Sequence, residues 1–413
     1  MRAAIQRRLP ATRHKDFRAL WGGTACSSIS LWTLLLGNAY IVFKLSDSSF
    51  WVGVATFAAM VPYFLAPIGG VIADRLERRI LLQLTRVGAF ITTSVLFVLA
   101  VTDVLEVWMV VMMAFIQGVV RAVEIPADTA LLPNVVPEED RANAVALSAM
   151  TQQGSRAVGP ILAAPLLGTV GVAGAYAIAM LFALLAFTSM RRVKTTSRGG
   201  VAKLGDVVVN LRVGLNYVRA TAPVAAIFAL VVAHCALTMS FDAMLPGFAE
   251  TELHRPKSGL TIMNFGVGIG ALVGTFVLSI FPRRRGALFL LTGLASGLSP
   301  ICMALSTNLA SATASAIFIG SSQAMFIALS AVLLQEVVPD AVRGRVMSLY
   351  LMSAGGVMAI ANLGFGSAAD ALGAPMLFLI PGAIFFAIVL GSVVAGPHLR
   401  MVYRTGRAAL APS

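Results

Sequence analysis

The chain has 413 residues, of which 58% are hydrophobic and 12% are charged, with a mean hydropathy of +0.87. The hydrophobic residues stand in long blocks instead of amphipathic stripes, which excludes a soluble protein and indicates one that crosses a membrane many times. The formal net charge of +13 is spread along one predicted membrane face, so we expect contact with anionic lipid headgroups and no nucleic-acid partner.

Twelve blocks are each long enough to span a bilayer core, which needs roughly 20 apolar residues per helix. Because an unpaired backbone amide in lipid is costly, and because the blocks are about twice the length of a barrel strand, we predict an all-α integral membrane protein. The predicted helices 1 to 12 are, in chain order, Leu20–Phe43, Phe50–Ala73, Ile80–Val101, Val107–Ala130, Ala142–Leu167, Val172–Met190, Pro223–Phe248, Ser258–Phe281, Ala287–Leu305, Leu309–Leu334, Met347–Ala369 and Met376–Ala395.

The distribution of basic residues predicts the orientation of the chain. The basic N-terminal segment runs directly into a block about twice as long as the apolar part of a signal peptide, so helix 1 should be retained. Arg121 and Arg156 lie inside predicted helices. Of the other Lys and Arg residues, 26, with Arg86 counted among them, are assigned to the side of the N-terminus, and three, Lys44, Arg255 and Lys257, to the other. This asymmetry predicts that both termini are cytoplasmic.

A dense charge cluster separates predicted helices 2 and 3. It contains Gly70, Asp74, Arg75, Glu77, Arg78 and Arg79. The pattern resembles the loop signature between helices 2 and 3 of the major facilitator superfamily of alternating-access transporters, although Glu77 stands where many members have glycine. The resemblance implies that Asp74 holds the start of helix 11 in the outward-facing state. It also implies that Arg78 pairs with an acid at the end of helix 4, for which Asp128 is the candidate. The other interpretation is that the arginines only set the topology.

Helix 4 carries a polar stripe in an otherwise apolar span. Gln117, Arg121, Glu124 and Asp128 follow one another at steps of four, three and four residues, which places them on one helical face. Arg121 and Glu124 can neutralise each other. Two interpretations remain: a structural ion pair near the cytoplasmic interface, or a group that handles substrate or protons.

Helix 5 contains Gly154, Arg156, Gly159 and Pro160. The small residues allow close helix approach, and the proline favours a bend. The run resembles the antiporter signature of the same superfamily, with Ala163–Ala164 in place of its last two glycines, and the resemblance implies export. Arg156 lies near mid-membrane, so it must find a carboxylate, a carbonyl or a cavity.

The polar stretch 191–222 divides the chain into an N-terminal half, 1–190, and a C-terminal half, 223–413, and its segment from Lys203 to Arg219 could form an amphipathic surface helix. An internal repeat supports this division. The segment Leu131–Arg141 aligns with Leu333–Arg343 at an offset of 202 residues, and Gly171 pairs with Gly373 at the same offset. Two parallel six-helix halves are therefore predicted, with the substrate site at their interface near mid-membrane.

Helix 7 holds His234 and Asp242. Asp242 has no cation three or four residues away on its own helix, whereas Glu124 has Arg121 beside it. We therefore favour Asp242 as a proton carrier, the alternative being a solvated carboxylate just outside the membrane. Uncharged polar residues in other helices could line a path or pack between helices; these are Asn38, Asn264, Gln323 and Asn362.

The three cysteines lie in different predicted helices and the four histidines are isolated, so we expect no disulfide framework, no metal and no cofactor. No ATP-binding loop pattern is present, and an ion gradient should therefore supply the energy. A membrane enzyme or sensor is disfavoured because no nucleophile and base are paired.

Two further segments, Asp16–Gly22 and Pro126–Pro137, join the loop and helix 5 motifs in resembling the bacterial branch of the superfamily that contains enterobactin exporters and macrolide efflux proteins. The resemblance implies a monomeric, proton-coupled exporter of siderophores or antibiotics in the bacterial inner membrane. A lipid flippase of the same fold is the alternative.

Overall fold

The computed structural model describes residues 9–198, 204–280 and 285–405, and these residues form helices joined by short turns. Within these ranges ten helices are long and apolar enough to cross a membrane, or up to eleven with a bent pair at the start of helix 7. Helix 5 completes the twelve-helix arrangement, so the predicted fold class is confirmed. Residues 281–284, which include all of the basic loop Pro282–Arg285 except Arg285, and residues 199–203 of the linker lie outside the described residues.

The observed helices match the predicted blocks closely. Helix 2 has two segments joined by a 3-10 turn, and helix 7 has two segments separated by a non-helical stretch. The bounds are Lys15–Ser46, Ser49–Met60 with Ala66–Arg75, Arg78–Val101, Val107–Leu131, Arg141–Thr169, Val172–Met190, Ala222–Leu237 with Leu245–Thr251, Pro256–Ile280, Arg285–Ala304, Leu309–Val337, Asp340–Leu372 and Ala374–Ala395 for helices 1 to 12, with a linker helix Leu204–Ala220 and a final helix Pro397–Thr405.

The continuous helix 7 predicted from the sequence is wrong. The helix stops at Leu237 and resumes at Leu245, with Pro246 in the first turn of the new segment, where its missing N–H costs little. In the break the Ser240 hydroxyl donates to the carbonyl of Cys235, replacing part of the regular backbone ladder. Asp242 therefore lies on irregular backbone inside the bundle, which is tolerated only where protein or a cavity surrounds it.

The predicted repeat appears as matching backbone geometry. Gly171, between helices 5 and 6, has φ of 77°, and Gly373, between helices 11 and 12, has φ of 78°. Both φ angles are positive, and glycine adopts such angles without the steric cost of a Cβ atom. A glycine with positive φ thus recurs at the same point of each six-helix half.

Close backbone contacts join the two halves. On one side of the interface, a Cβ atom on Gly53 of helix 2 would lie 2.8 Å from the carbonyl oxygen of Asn362 of helix 11. On the other side, a Cβ atom on Gly268 of helix 8 would overlap the backbone of Ala157 of helix 5. Such contacts require small residues, because helices in lipid associate mainly through tight packing.

Helix 2 defines the two ends of the bundle. We call the end that carries Asp74 and Arg78 the basic end, and the end that carries Ser48 and Ser49 the opposite end. The outward faces of the bundle expose large apolar side chains, among them Leu84, Ile91 and Leu291, as expected for surfaces in contact with lipid.

Candidate functional site

Two adjacent cavities lie in the middle of the bundle. One has a volume of about 80 Å³ and is lined by residues of both halves, and the other has a volume of about 230 Å³ and is lined by helices 1, 2, 4 and 5. Their shared wall is formed by Trp32, Leu35, Asn38, Ala59 and Met60. A central cavity between the halves is the arrangement that the internal repeat predicts.

Arg156 and Asp242 meet in the smaller cavity. The Arg156 Nη2 atom of helix 5 lies 4.0 Å from Oδ1 of Asp242 in the break of helix 7. The Arg156 guanidinium also lies 4.7 Å from the ring centroid of Trp32 and 5.9 Å from that of Phe241. Its Nε atom is buried and makes no hydrogen bond. The Arg156–Asp242 contact is long, and the guanidinium keeps an unused N–H donor. Either charged group could therefore turn to a bound molecule.

This contact corrects the sequence interpretation of Asp242. The sequence shows no neutralising cation near Asp242 on its own helix, and in the structure the cation comes from helix 5 of the other half. The break in helix 7 is what turns the Asp242 carboxylate inward. Trp32 was not singled out from the sequence, although an aromatic ring beside an intramembrane arginine is a recognised partner for its charge.

The polar stripe on helix 4 forms a buried ion network. Nη1 of Arg121 lies 3.0 Å from Oε2 of Glu124, and the Ser27 hydroxyl donates to Oε1 of Glu124 at 2.8 Å. Tyr63, in the 3-10 turn of helix 2, lines the larger cavity together with Arg121. Arg121 and Gln117 line the larger cavity, so one edge of this network faces it.

A second arginine belongs to the network and was assigned wrongly from the sequence. Arg86 of helix 3 was counted among the basic residues outside the membrane, but its side chain is 1% exposed. Its guanidinium lies 3.8 Å from Glu124 and 3.7 Å from Asp128, and it donates to the Thr24 hydroxyl at 3.1 Å. Gly23 leaves room for it, since a Cβ atom there would overlap the guanidinium. The Gly22–Gly23 pair in helix 1 is the signal that could have revealed a bulky neighbour.

The charge cluster between helices 2 and 3 is arranged differently from the expectation. Arg78 pairs with Asp74 at 3.2 Å and donates to the carbonyl of Ala130 at 3.2 Å and to the Ser197 hydroxyl at 2.9 Å. The expected pairing of Arg78 with Asp128 is wrong for this conformation. Asp128 instead accepts from Thr24 at 2.9 Å, with Arg86 nearby, because Asp128 points into the N-terminal half. Arg75 is exposed, Arg79 is half-buried, and a Cβ atom on Gly70 would meet nothing within 4 Å.

The remaining predicted residues divide between the cavity and the core. Asn38 lines both cavities while it accepts a hydrogen bond from the Tyr176 hydroxyl at 2.8 Å. His234 is fully buried between Phe326 and Phe385, and Gln323 donates to the carbonyl of Thr238 at 2.6 Å. His234 and Gln323 therefore pack the C-terminal half and do not line the cavities.

The other predicted residues are two asparagines and the small residues and proline of helix 5. Asn264 lines the smaller cavity, and Asn362 accepts from the backbone N–H of Ala243 in the helix 7 break. In the antiporter-like run, a Cβ atom on Gly159 would lie 3.0 Å from the backbone nitrogen of Thr33, so helix 5 is held tightly against helix 1. Gly154 and Pro160 lie in the same helix. Within the described ranges, no group of three His, Cys, Asp or Glu side chains could hold a metal ion.

Comparisons with known proteins agree on one family. The profile of the transmembrane secretion effectors matches residues 8–403. The chain is 24% identical to macrolide efflux protein A of Streptococcus pyogenes over 392 residues, covering 91% of this chain and 94% of that protein. It is 23% identical to the staphyloferrin A transporter of Staphylococcus aureus over 371 residues, covering 87% and 91%.

Solved structures show the same fold. A peptide transporter of the POT family, crystallised with a thioalcohol-conjugated peptide, superposes with a TM-score of 0.74 at 14% identity, covering 93% of this chain and 96% of that one. A nucleoside transporter superposes with a TM-score of 0.67 at 14% identity, covering 92% and 98%.

Proposed function

The chain belongs to the transmembrane secretion effector family of major facilitator transporters, and from that premise we propose that it exports a bulky, partly apolar small molecule in exchange for protons. It is a multi-pass transporter of the efflux type with bacterial homologues, one named for macrolide efflux and another for staphyloferrin A. Those names put macrolide-like antibiotics and siderophores first among the substrates to test.

The observation that carries the proposal is the Arg156–Asp242 pair. It joins the two halves at the wall of a cavity, where alternating access requires the substrate to bind. Around the pair the wall is apolar and adaptable, with Trp32 and three methionines, Met60, Met239 and Met358. Methionine side chains adjust to irregular ligands. With the adjoining cavity the space reaches the lower limit of ligand pockets, about 300 Å³, and separation of the halves at one end would enlarge it.

Proton coupling is assigned to Asp242 for two reasons. Glu124 is held by Arg121 at 3.0 Å, by Ser27 and by Arg86, whereas Asp242 faces one cation at 4.0 Å. The Asp242 side chain is also more exposed, at 29% against 3% for Glu124, so a proton can reach it through the cavity. Protonation of Asp242 would release Arg156 from its partner, and deprotonation would restore the pair. A substrate that contacts the ionised Asp242 carboxylate would lose that contact when Asp242 is protonated, and in this way one proton and one substrate can exclude each other.

The conformation supports an alternating mechanism. In the observed state Asp74 is bonded to Arg78, while helices 2 and 11 are in backbone contact near the opposite end. We propose that this is an inward-facing or closed state, with the basic end cytoplasmic, as the excess of Lys and Arg predicts. Asp74 would move to the start of helix 11 when the basic end closes, because a helix N-terminus favours a carboxylate.

An accumulation screen tests the proposal. Bacteria lacking their own efflux pumps would express the wild type, Asp242→Asn or a matched control, Asp103→Asn, whose carboxylate lies in the exposed loop after helix 3. Intracellular macrolides and siderophores would then be measured by mass spectrometry at equal protein amounts. We expect the wild type and Asp103→Asn to lower the accumulation of at least one compound, and Asp242→Asn to fail. Unchanged accumulation of every compound, together with translocation of lipid headgroups in proteoliposomes, would overturn the proposal in favour of a flippase.

A further inference from the structure

A carboxylate closes the opposite end of the bundle across the two halves. Asp370, at the C-terminal end of helix 11, accepts from the backbone N–H of Ser49 at 2.7 Å and from that of Phe50 at 3.3 Å. The Ser48 hydroxyl donates to the same carboxylate. Ser48 is the N-cap of helix 2, so the carboxylate sits on the first turn of that helix. Backbone N–H groups of a first turn have no partner within the helix and carry the positive end of its dipole.

Glycine contacts extend this closure along helices 2 and 11. A Cβ atom on Gly366 would lie 2.6 Å from the carbonyl oxygen of Ser49 and 3.0 Å from Cα of Gly53. Less than two turns separate Asp370 from this backbone contact. The carboxylate and the glycine contact together seal helix 2 of the N-terminal half against helix 11 of the C-terminal half at the opposite end.

The basic end of the same two helices is arranged differently among the residues whose side chains the structure describes. Asp74, at the C-terminal end of helix 2, is bonded to Arg78 of its own loop. Helices 2 and 11 run antiparallel, so each presents a C-terminal acid at one end and an N-terminus at the other. The Asp370 carboxylate binds the first turn of helix 2. In the same way, the Asp74 carboxylate would bind the first turn of helix 11.

We propose that Asp370 is a gate residue of the transport cycle, holding the opposite end shut through the first turn of helix 2, in alternation with Asp74 at the basic end. This inference rests on the proposed alternating access and adds a second latch to it. Only one latch can be engaged at a time if the halves rock about the central cavity. Loss of either acid should then shift the two conformations in opposite directions.

Distances between spin labels test the proposal without a substrate. One label pair, at Lys44 and Glu252, reports the opposite end, and a second pair, at Glu139 and Ser348, reports the basic end. Pulsed electron resonance would be recorded on full-length protein in nanodiscs. For Asp370→Asn we expect the ratio of open to closed distances at the opposite end to rise by about tenfold, the scale of one lost charge-assisted hydrogen-bond set. Ser48→Ala, which removes one bond and keeps the charge, should give a smaller shift.

Three comparisons make the test decisive. Asp103→Asn removes an exposed carboxylate at the same end and should leave both distance distributions unchanged. Asp74→Asn should favour opening at the basic end, and the double variant Asp74→Asn/Asp370→Asn should return toward the wild-type ratio. If Asp370→Asn protein, monodisperse and with wild-type thermal stability, has wild-type distances, the latch is overturned. A shift in distances without any export would leave the latch standing and count against the proposed function alone.

Discussion

Arg156 of helix 5 and Asp242 of helix 7 face each other at 4.0 Å across the boundary between the two halves. Among the described residues that line the smaller cavity, Arg156 is the only charged one from the N-terminal half and Asp242 the only charged one from the C-terminal half. Within this lining, each charge is therefore neutralised from the other half. A desolvated arginine and carboxylate at this distance depend on each other, because an unpaired charge at membrane depth is costly.

The first prediction concerns Arg156. Arg156→Gln leaves Asp242 without its cation and removes the charge over Trp32, so we expect the export rate to fall by about tenfold or more, equivalent to about 1.4 kcal/mol. Arg156→Lys keeps the charge and loses the planar guanidinium, and it should retain part of the activity. Arg192→Gln, at an exposed position after helix 6, is the control. If the Arg156→Gln variant exports at the wild-type rate at equal protein amounts, Arg156 has no role in the site.

The second prediction concerns the buried ion network. Arg86→Leu removes the cation that lies near the carboxylates of Glu124 and Asp128. Loss of one partner of a buried ion pair lowers the free energy of unfolding by about 3–5 kcal/mol. We expect a large fall in the melting temperature of the detergent-solubilised protein. The double variant Arg86→Leu/Asp128→Asn retains the neutral Arg121–Glu124 pair and should recover most of the loss. If Arg86→Leu alone melts at the wild-type temperature, the network does not stabilise the fold.

Arg86 also shows where sequence reasoning stops. Block length and periodicity are local properties, and they predicted the twelve helices, the polar face of helix 4 and the Arg121–Glu124 pair. Pairings between helices far apart in the chain depend on packing, so the sequence could not place Arg86 beside Asp128 or Arg156 beside Asp242. The break in helix 7 was missed because Thr238, Ser240 and Asp242 were taken as polar positions within one apolar block. The competing hydrogen bonds of Ser240 and Asn362 become visible only once the helices are packed.

A third prediction tests helix packing within the C-terminal half. A Cβ atom on Gly320 of helix 10 would overlap the carbonyl of Val267 in helix 8. Gly320→Ala should therefore force the helices apart, at a cost of about 1–3 kcal/mol. Gly364→Ala in helix 11 is the matched control, since a Cβ atom there would meet nothing within 4 Å. Thermal unfolding of the two variants should differ clearly, and equal melting temperatures would count against the tight contact.

The fourth prediction concerns the loop after helix 2. Asp74→Asn and Arg78→Ala should impair export while the protein remains in the membrane, because each removes a polar contact of the gate and no core packing. Arg78→Ala should be the more damaging, since Arg78 also bonds Ala130 and Ser197. Transport in reconstituted vesicles, normalised to protein amount, is the measurement. Normal rates for both variants would refute a gate role. The charged residues of this loop would then only set the membrane topology.

The coupling of export to protons is the central claim, and gradient-driven uptake into inside-out proteoliposomes measures it most directly. With an imposed pH gradient and a substrate identified in the accumulation screen, wild-type vesicles should concentrate the substrate, and the gradient should collapse faster in its presence. Asp242→Asn vesicles should lose this accumulation and keep substrate exchange in the absence of a gradient. If Asp242→Asn vesicles accumulate substrate at the wild-type rate, Asp242 is not the proton carrier and the account is contradicted.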